Sequence, residues 1–373
     1  MKKVAIIIGT RAEFIKTMPI MLELKKRKIP YSFIHTGQHS LKDLCEKFEI
    51  KKPDFVLTPA PSKSTKFFAR HIRAAFWNLG LIFSIKRVIK KINPDYVIYH
   101  GDTMTTASAS IASSKMLNPS KKYKNIHLEA GLRSGNLFEP FPEEISRIIA
   151  DRFSEVLFAV SERSKNNLRR YKKSKKIILT GNTIIDSVDV SYKKALKEKI
   201  KVFSNKKFAL ISIHRHENIK NKKRLEKIVK ILLSLNIPSY FPLYDNTKEK
   251  LIKFGLYKKL IENKNITILE YIDYVNFIYQ LKNCSLLICD GGSIQEESLV
   301  FGKPCIILRN FTERQEGLES NFQFLSKLNV KKTVYKINEY LSKDFKVKKF
   351  KNPYGNIGLS EKIVDLIQND KNY

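Results

Sequence analysis

Short apolar runs of the buried-strand type recur along the whole chain, separated by amphipathic segments with helical spacing. In the first half the runs are Val4–Ile8, Phe33–His35, Tyr96–Tyr99, Ile126–Leu128, Val156–Val160 and Ile177–Leu179. In the second half they are Phe208–Ile213, Ser239–Leu243, Ile266–Leu269, Leu286–Cys289 and Cys305–Leu308. Helical patterns fall at Phe14–Arg27, Phe67–Lys91, Lys222–Leu235, Tyr274–Lys282 and Leu359–Ile367. Strand alternating with helix predicts parallel sheets with helices on both faces. Two such series predict an α/β protein of two doubly wound domains, residues 1–184 and 185–357. The boundary lies near Gly181–Asp186, with Thr183 as the expected cap of a helix opening at Ile184. The terminal segment, 358–373, is expected to return to the first domain.

At 373 residues the chain has room for about two domains. Its four cysteines, Cys45, Cys284, Cys289 and Cys305, form no Cys-x-x-Cys pair. A disulfide scaffold is excluded, a zinc site is disfavoured, and a reducing cytoplasm fits. No apolar stretch approaches the roughly 20 residues of a membrane span. The opening MKKVAIIIG reads as a first strand, not an export signal, because its apolar run stops at Ile8. The net charge is +34, which invites a polyanion partner. The basic clusters, such as Lys172–Lys176 and Lys220–Arg224, are scattered and not interleaved with aromatics for base stacking, so nucleic acid is not expected. A small anionic substrate suits the excess, and loose attachment to a membrane surface stays open.

Ligands of open α/β sheets bind at the carboxyl ends of the strands, and unusual polar residues gather at those ends here. The first strand runs into Gly9-Thr10-Arg11, followed by a helix N-terminus suited to an anion. The Tyr96–Tyr99 strand ends in His100-Gly101-Asp102-Thr103, and the next delivers Glu129 before Gly131. Glu143 and Arg147 are four apart and share a helix face. In the second half, His214 and Arg215 follow Phe208–Ile213, where they can grip and protonate a phosphate-bearing leaving group. Asp290-Gly291-Gly292-Ser293 is a strand–glycine turn–helix junction that can cradle a diphosphate, with Glu297 one turn on for ribose hydroxyls. Arg309 and Thr312-Glu313-Arg314 come behind. Any one of these reads alone as a cap, a turn or a satisfied core residue. Together they set carboxylates in the first half against an anion-binding set in the second, which suggests a cleft between domains.

The motifs GTRAEFIK (9–16), HTGQH (35–39), HGDTMTT (100–106), HLEAGLRS (127–134), FPEEISRI (141–148), TGNTIIDS (180–187), HRHEN (214–218), DGGSIQEE (290–297) and TERQE (312–316) occur in this order. In this the chain resembles the UDP-N-acetylglucosamine 2-epimerase family, in particular its non-hydrolysing branch. The resemblance implies a glycosyltransferase-B-type fold, two Rossmann-like domains with the active site between them. It implies interconversion of UDP-GlcNAc and UDP-ManNAc by elimination of UDP to a 2-acetamidoglucal and re-addition. By that resemblance Asp102, Glu129 and Glu143 match catalytic carboxylates, and His214 assists UDP departure and return. Arg11 and Lys16 lie near diphosphate and sugar, and Arg147 belongs to the substrate site. Phe277 packs on uracil, Gly291, Gly292 and Ser293 form the phosphate turn, Glu297 binds ribose and Arg314 a phosphate. A homodimer and supply of a surface polysaccharide are implied; no NAD or metal is.

The chain also departs from the family pattern. Ala12 and Gln315 replace prolines, and the glycine turn has the order Asp-Gly-Gly-Ser instead of Asp-Ser-Gly-Gly. Tyr244 and Leu41 stand where some members use a His and a Gln to bind a second, activating UDP-GlcNAc. A hydrolysing outcome releasing free ManNAc, or a related UDP-2-acetamido sugar, remains an alternative, and a glycosyltransferase on the same architecture is disfavoured by the three carboxylates.

Overall fold

The computed structural model describes residues 1–37, 40–57, 67–137 and 141–369, with residues 67–76 described by backbone alone. Gln38 and His39 of the HTGQH segment and the last four residues lie outside it. The chain divides into two compact units, Met1–Ser187 with Tyr354–Tyr373, and Val188–Pro353.

The first unit holds a seven-stranded sheet. Its strands are β1 (Val4–Ile8), β2 (Tyr31–His35), β3 (Phe55–Val56), β4 (Tyr96–His100), β5 (Lys124–Ala130), β6 (Val156–Ala159) and β7 (Lys176–Leu179). They lie in the order 3-2-1-4-5-6-7, every pair parallel. The second unit adds β8 (Ala209–Ser212), β9 (Ser239–Pro242), β10 (Ile266–Leu269), β11 (Leu286–Cys289), β12 (Cys305–Ile307) and β13 (Gln323–Leu325) in the order 10-9-8-11-12-13, again all parallel.

Both sheets are buried on both faces, which is why their strands read as continuous apolar runs. All five residues of β1 and of β4 are buried. In the second unit the two faces of the sheet carry separate cores, one around Ile211, Ile288 and Leu243, the other around Phe208, Leu287 and Phe277. The edge strands β3 and β13 have only two and three residues, too few to show a pattern in the sequence.

Helix Leu359–Gln368 lies on the first unit. Arg27 bonds Asp365 at 2.5 Å, and the Asp186 carboxylate accepts the backbone N–H of Gly358 at 2.8 Å and of Ser360 at 2.6 Å. Thr183 does not cap the helix that opens at Ile184. Its hydroxyl bonds the Lys16 carbonyl, and the Asn182 side chain accepts the Ile184 N–H instead, at 3.1 Å. The reason is reach: the Thr183 side chain points to the neighbouring first helix, while Asn182 is two residues before the amide it caps.

Candidate functional site

In a doubly wound sheet the strand order reverses on either side of the first strand, and the two loops leaving that point splay apart to leave a crevice. That point lies between β1 and β4 in the first unit and between β8 and β11 in the second.

At the first switch point the turn after β1 ends in Thr10, which caps helix Arg11–Lys26 in a capping box with Glu13. Glu13 does more than cap. Its Oε2 accepts the N–H of Gly9 at 2.7 Å and of Thr10 at 2.8 Å, and its Oε1 takes the Thr103 hydroxyl and lies 2.9 Å from that of Thr106. One carboxylate, 3% exposed, thus ties the turn after β1 to the turn after β4. Burial raises its pKa, and these four hydrogen bonds offset only part of that.

The turn after β4 carries Asp102. Arg147, 1% exposed, reaches it from helix Glu143–Phe153 while its other terminal nitrogen bonds Glu144 at 2.7 Å. The preceding Gly101 carbonyl lies 2.8 Å from Nε2 of His127 on β5, whose Nδ1 lies 2.8 Å from Asp151. Asp151 is fully buried; burial pushes its pKa up, but the bonds to His127 and Arg133 outweigh it and the net shift is downward. On that helix Arg147 bonds Glu144, three residues before it, and Glu143 stands four residues before it in the first turn, half-buried.

Glu129 lies inside β5, not beyond it. Its backbone is left-handed, φ 66°, at an irregularity of the β5–β6 register between Leu128 and Ala130. A non-glycine residue held there is strained, and such strain gathers at functional sites. The kink carries the side chain across to β4, where a Cβ on Gly101 would lie 3.3 Å from Glu129 Oε2. The carboxylate is 5% exposed. Lys16 ion-pairs with it, Asn182 donates to it at 3.0 Å, and His100 Nδ1 is 3.7 Å away. Two carboxylates, Asp102 and Glu129, each with its own cation, therefore sit on neighbouring strand ends. Arg11 is not part of this group: its guanidinium forks onto both oxygens of Asp43, at 2.7 and 2.6 Å, on the surface.

At the second switch point the carboxylate of Asp290, fully buried, accepts the backbone N–H of His214 and of Arg215, each at 3.0 Å, and the Asn218 side chain at 3.1 Å. The carboxylate that ends β11 thereby shapes the loop after β8. The glycine turn follows, opening helix Ser293–Val300. A Cβ on Gly291 would meet the His214 ring at 3.2 Å, and one on Gly292 would meet Arg314 Nη1 and Glu313 Oε1 at 2.7 Å. Imidazole and guanidinium thus flank a bare backbone turn at a helix N-terminus, an arrangement suited to phosphate. Arg314 is itself held by Glu313 and, at 3.4 Å, by Glu296. Burial lowers the His214 pKa; Asp290 opposes that and Arg215 adds to it. The His214 ring packs on Tyr244 at 4.9 Å between centroids, and Tyr244 on the exposed Tyr271 at 5.7 Å. Glu297, 2% exposed, accepts the Tyr274 hydroxyl at 3.1 Å. Phe277, one turn after Tyr274, is 9% exposed and packs in the second unit's core.

Glu13, Glu144, Asp151, Asn182 and Tyr274 were not singled out in the sequence. Glu13 and Glu144 left a local signal there, the Thr-x-x-Glu spacing of a capping box and the three-residue spacing of Glu144 to Arg147; the others act through partners that only folding brings near.

Residues 22–368 match the family model for UDP-N-acetylglucosamine 2-epimerase. The UDP-N-acetylglucosamine 2-epimerase of Methanocaldococcus jannaschii is 34% identical, covering 98% of either chain. The crystal structure of that organism's UDP-GlcNAc 2-epimerase in complex with UDP-GlcNAc and UDP superposes with a TM-score of 0.84 at 33% identity, over 99% of this chain and 100% of that one. The Neisseria meningitidis UDP-GlcNAc 2-epimerase bound to UDP-GlcNAc gives a TM-score of 0.82 at 31% identity, over 99% and 100%. With motifs, sheet order and full-length similarity in agreement, this chain belongs to the UDP-N-acetylglucosamine 2-epimerase family.

Proposed function

We propose that this protein is an isomerase that inverts carbon 2 of the sugar in UDP-GlcNAc, giving UDP-ManNAc and the reverse. The proton on that carbon passes to a carboxylate, its electron pair forms the C1–C2 double bond, and the C1–O bond breaks with its pair leaving on the UDP β-phosphate. Re-addition of UDP with protonation from the other face completes the inversion, so two acid/base groups are needed. The first unit supplies them. The observation that carries the reading is the pairing of Asp102 with Arg147 and of Glu129 with Lys16 on adjacent strand ends, beside Gly101. Glu143 is assigned as a further acid on the same side. The second unit is assigned the nucleotide: Gly291, Gly292, Ser293 and Arg314 the diphosphate, Glu297 the ribose, Phe277 the uracil. His214, against Gly291, protonates the departing phosphate oxygen. Arg11, once released from Asp43, joins the diphosphate.

The test is NMR of the purified protein with UDP-GlcNAc in heavy water. The expected result is both UDP-sugars, with deuterium at carbon 2. Epimerised product without deuterium, or reaction only with an added acceptor, overturns the proposal. Accumulation of UDP and free ManNAc instead identifies the hydrolysing branch.

A further inference from the structure

In a parallel sheet every helix returns to the amino edge, so helix C-termini, which favour cations, gather there. The β5–β7 part of that edge carries more than helix ends call for. From Arg169 to Lys176, the segment that runs into the amino end of β7, six of eight residues are Lys or Arg and none is acidic. Arg169, Arg170, Lys172 and Lys173 lie in the turn that leads to β7, outside any α-helical last turn, and are exposed, as are Lys176 at the start of β7 and Arg152 before β6. Lys175 stitches the two segments by donating to the Arg152 carbonyl at 2.6 Å. The nearby acid, Glu155, is held by Lys121 at 2.5 Å and Lys115 at 3.2 Å.

We propose that this amino edge of the first sheet is a docking face for an anionic lipid bilayer. Its cations project from a helix end, a turn and an edge strand, an irregular spread that laterally mobile headgroups can match. A polynucleotide needs either regularly tracked phosphates or a stacking ring. The rings at this edge are covered by cations of the chain itself: Tyr171 by the guanidinium of Arg170 at 4.9 Å and the ammonium of Lys175 at 5.2 Å, and Tyr123 by the ammonium of Lys121 at 4.7 Å. Each cation brought near such a membrane surface strengthens attachment by about fivefold. Asp102 and Glu129 stand at the opposite, carboxyl ends of the strands, so docking leaves them uncovered. The inference does not depend on the identity of the substrate.

The test is co-sedimentation of the full chain with phosphatidylglycerol-containing vesicles and with pure phosphatidylcholine vesicles, at low and high salt. Binding to the anionic vesicles alone, released by salt, is expected. The variant R169E/R170E/K172E/K173E should lose at least about tenfold in partitioning. A variant with the same charge change in the second unit, K331E/K332E/K336E/K343E, should bind like the parent. The corresponding Gln variants serve if charge reversal impairs folding. Equal losses in both variants would show that net charge alone is responsible and overturn the proposal. So would equal binding to neutral vesicles, or displacement from anionic vesicles by an equal phosphate concentration of nucleic acid.

Discussion

Asp290 Oδ1 accepts the backbone N–H of His214 at 3.0 Å, joining the end of β11 to the loop that leaves β8. The same carboxylate takes Arg215 N–H, so the imidazole's position is set by a residue 76 positions away. Asp290→Asn keeps the shape but offers one acceptor oxygen where three donors arrive. Turnover is expected to fall by about 10²-fold, with about 2 kcal/mol lost in stability. Steady-state kinetics and urea unfolding check both.

Arg147 holds Asp102 and Glu144 at once from a fully enclosed position. Lys cannot fork to two carboxylates. Arg147→Lys should therefore cut kcat by about 10²-fold or more, comparable with Asp102→Asn, Glu129→Gln and Glu143→Gln, while KM for the UDP-sugar changes little. Near-normal turnover in the three carboxylate variants would remove the proposed acid/base roles.

The nucleotide side has a separate readout. Tyr274→Phe removes the hydroxyl that bonds Glu297. If Glu297 reads the ribose, the variant should weaken UDP binding about tenfold and narrow the preference for UDP over its 2′-deoxy analogue, with kcat nearly unchanged. Titration calorimetry with the two nucleotides measures this directly, and an unaltered preference counts against the ribose assignment.

Acid lability has an identifiable source in the first unit. Burial pushes the His100 pKa down to about 3, with Glu129 opposing and Lys16 adding to the shift. The unfolded chain takes that proton near pH 6.5, the folded chain only near 3. Between those values the unfolded state binds more protons, so stability is full above about pH 6.5 and falls as pH drops through the window, by up to about 1.4 kcal/mol per pH unit. His100→Asn should flatten that part of the curve, seen as a smaller shift of the urea midpoint between pH 6 and pH 4.

How far the site could be read from the chain varied with distance along it. Groups whose partners are a few residues away left a pattern: the glycine turn before Ser293 and the Thr10–Glu13 capping box. The Arg147–Asp102 pair spans 45 positions and the Lys16–Glu129 pair 113, and no local spacing encodes either. Arg11 shows the converse. A strand-end arginine is legible as an anion ligand, yet in the folded chain Asp43, 32 residues on, takes both of its terminal nitrogens.

Hydrophobic periodicity determined the two α/β series and the central strands by itself, because burying apolar surface on both faces of a parallel sheet leaves one solution for such a pattern. It did not determine the edge strands β3 and β13, which are too short to carry a period. Nor did it determine the left-handed backbone at Glu129. A strained φ is held only when surrounding contacts over-determine it, and those contacts, from Lys16 and Asn182, exist only after the chain has closed on itself.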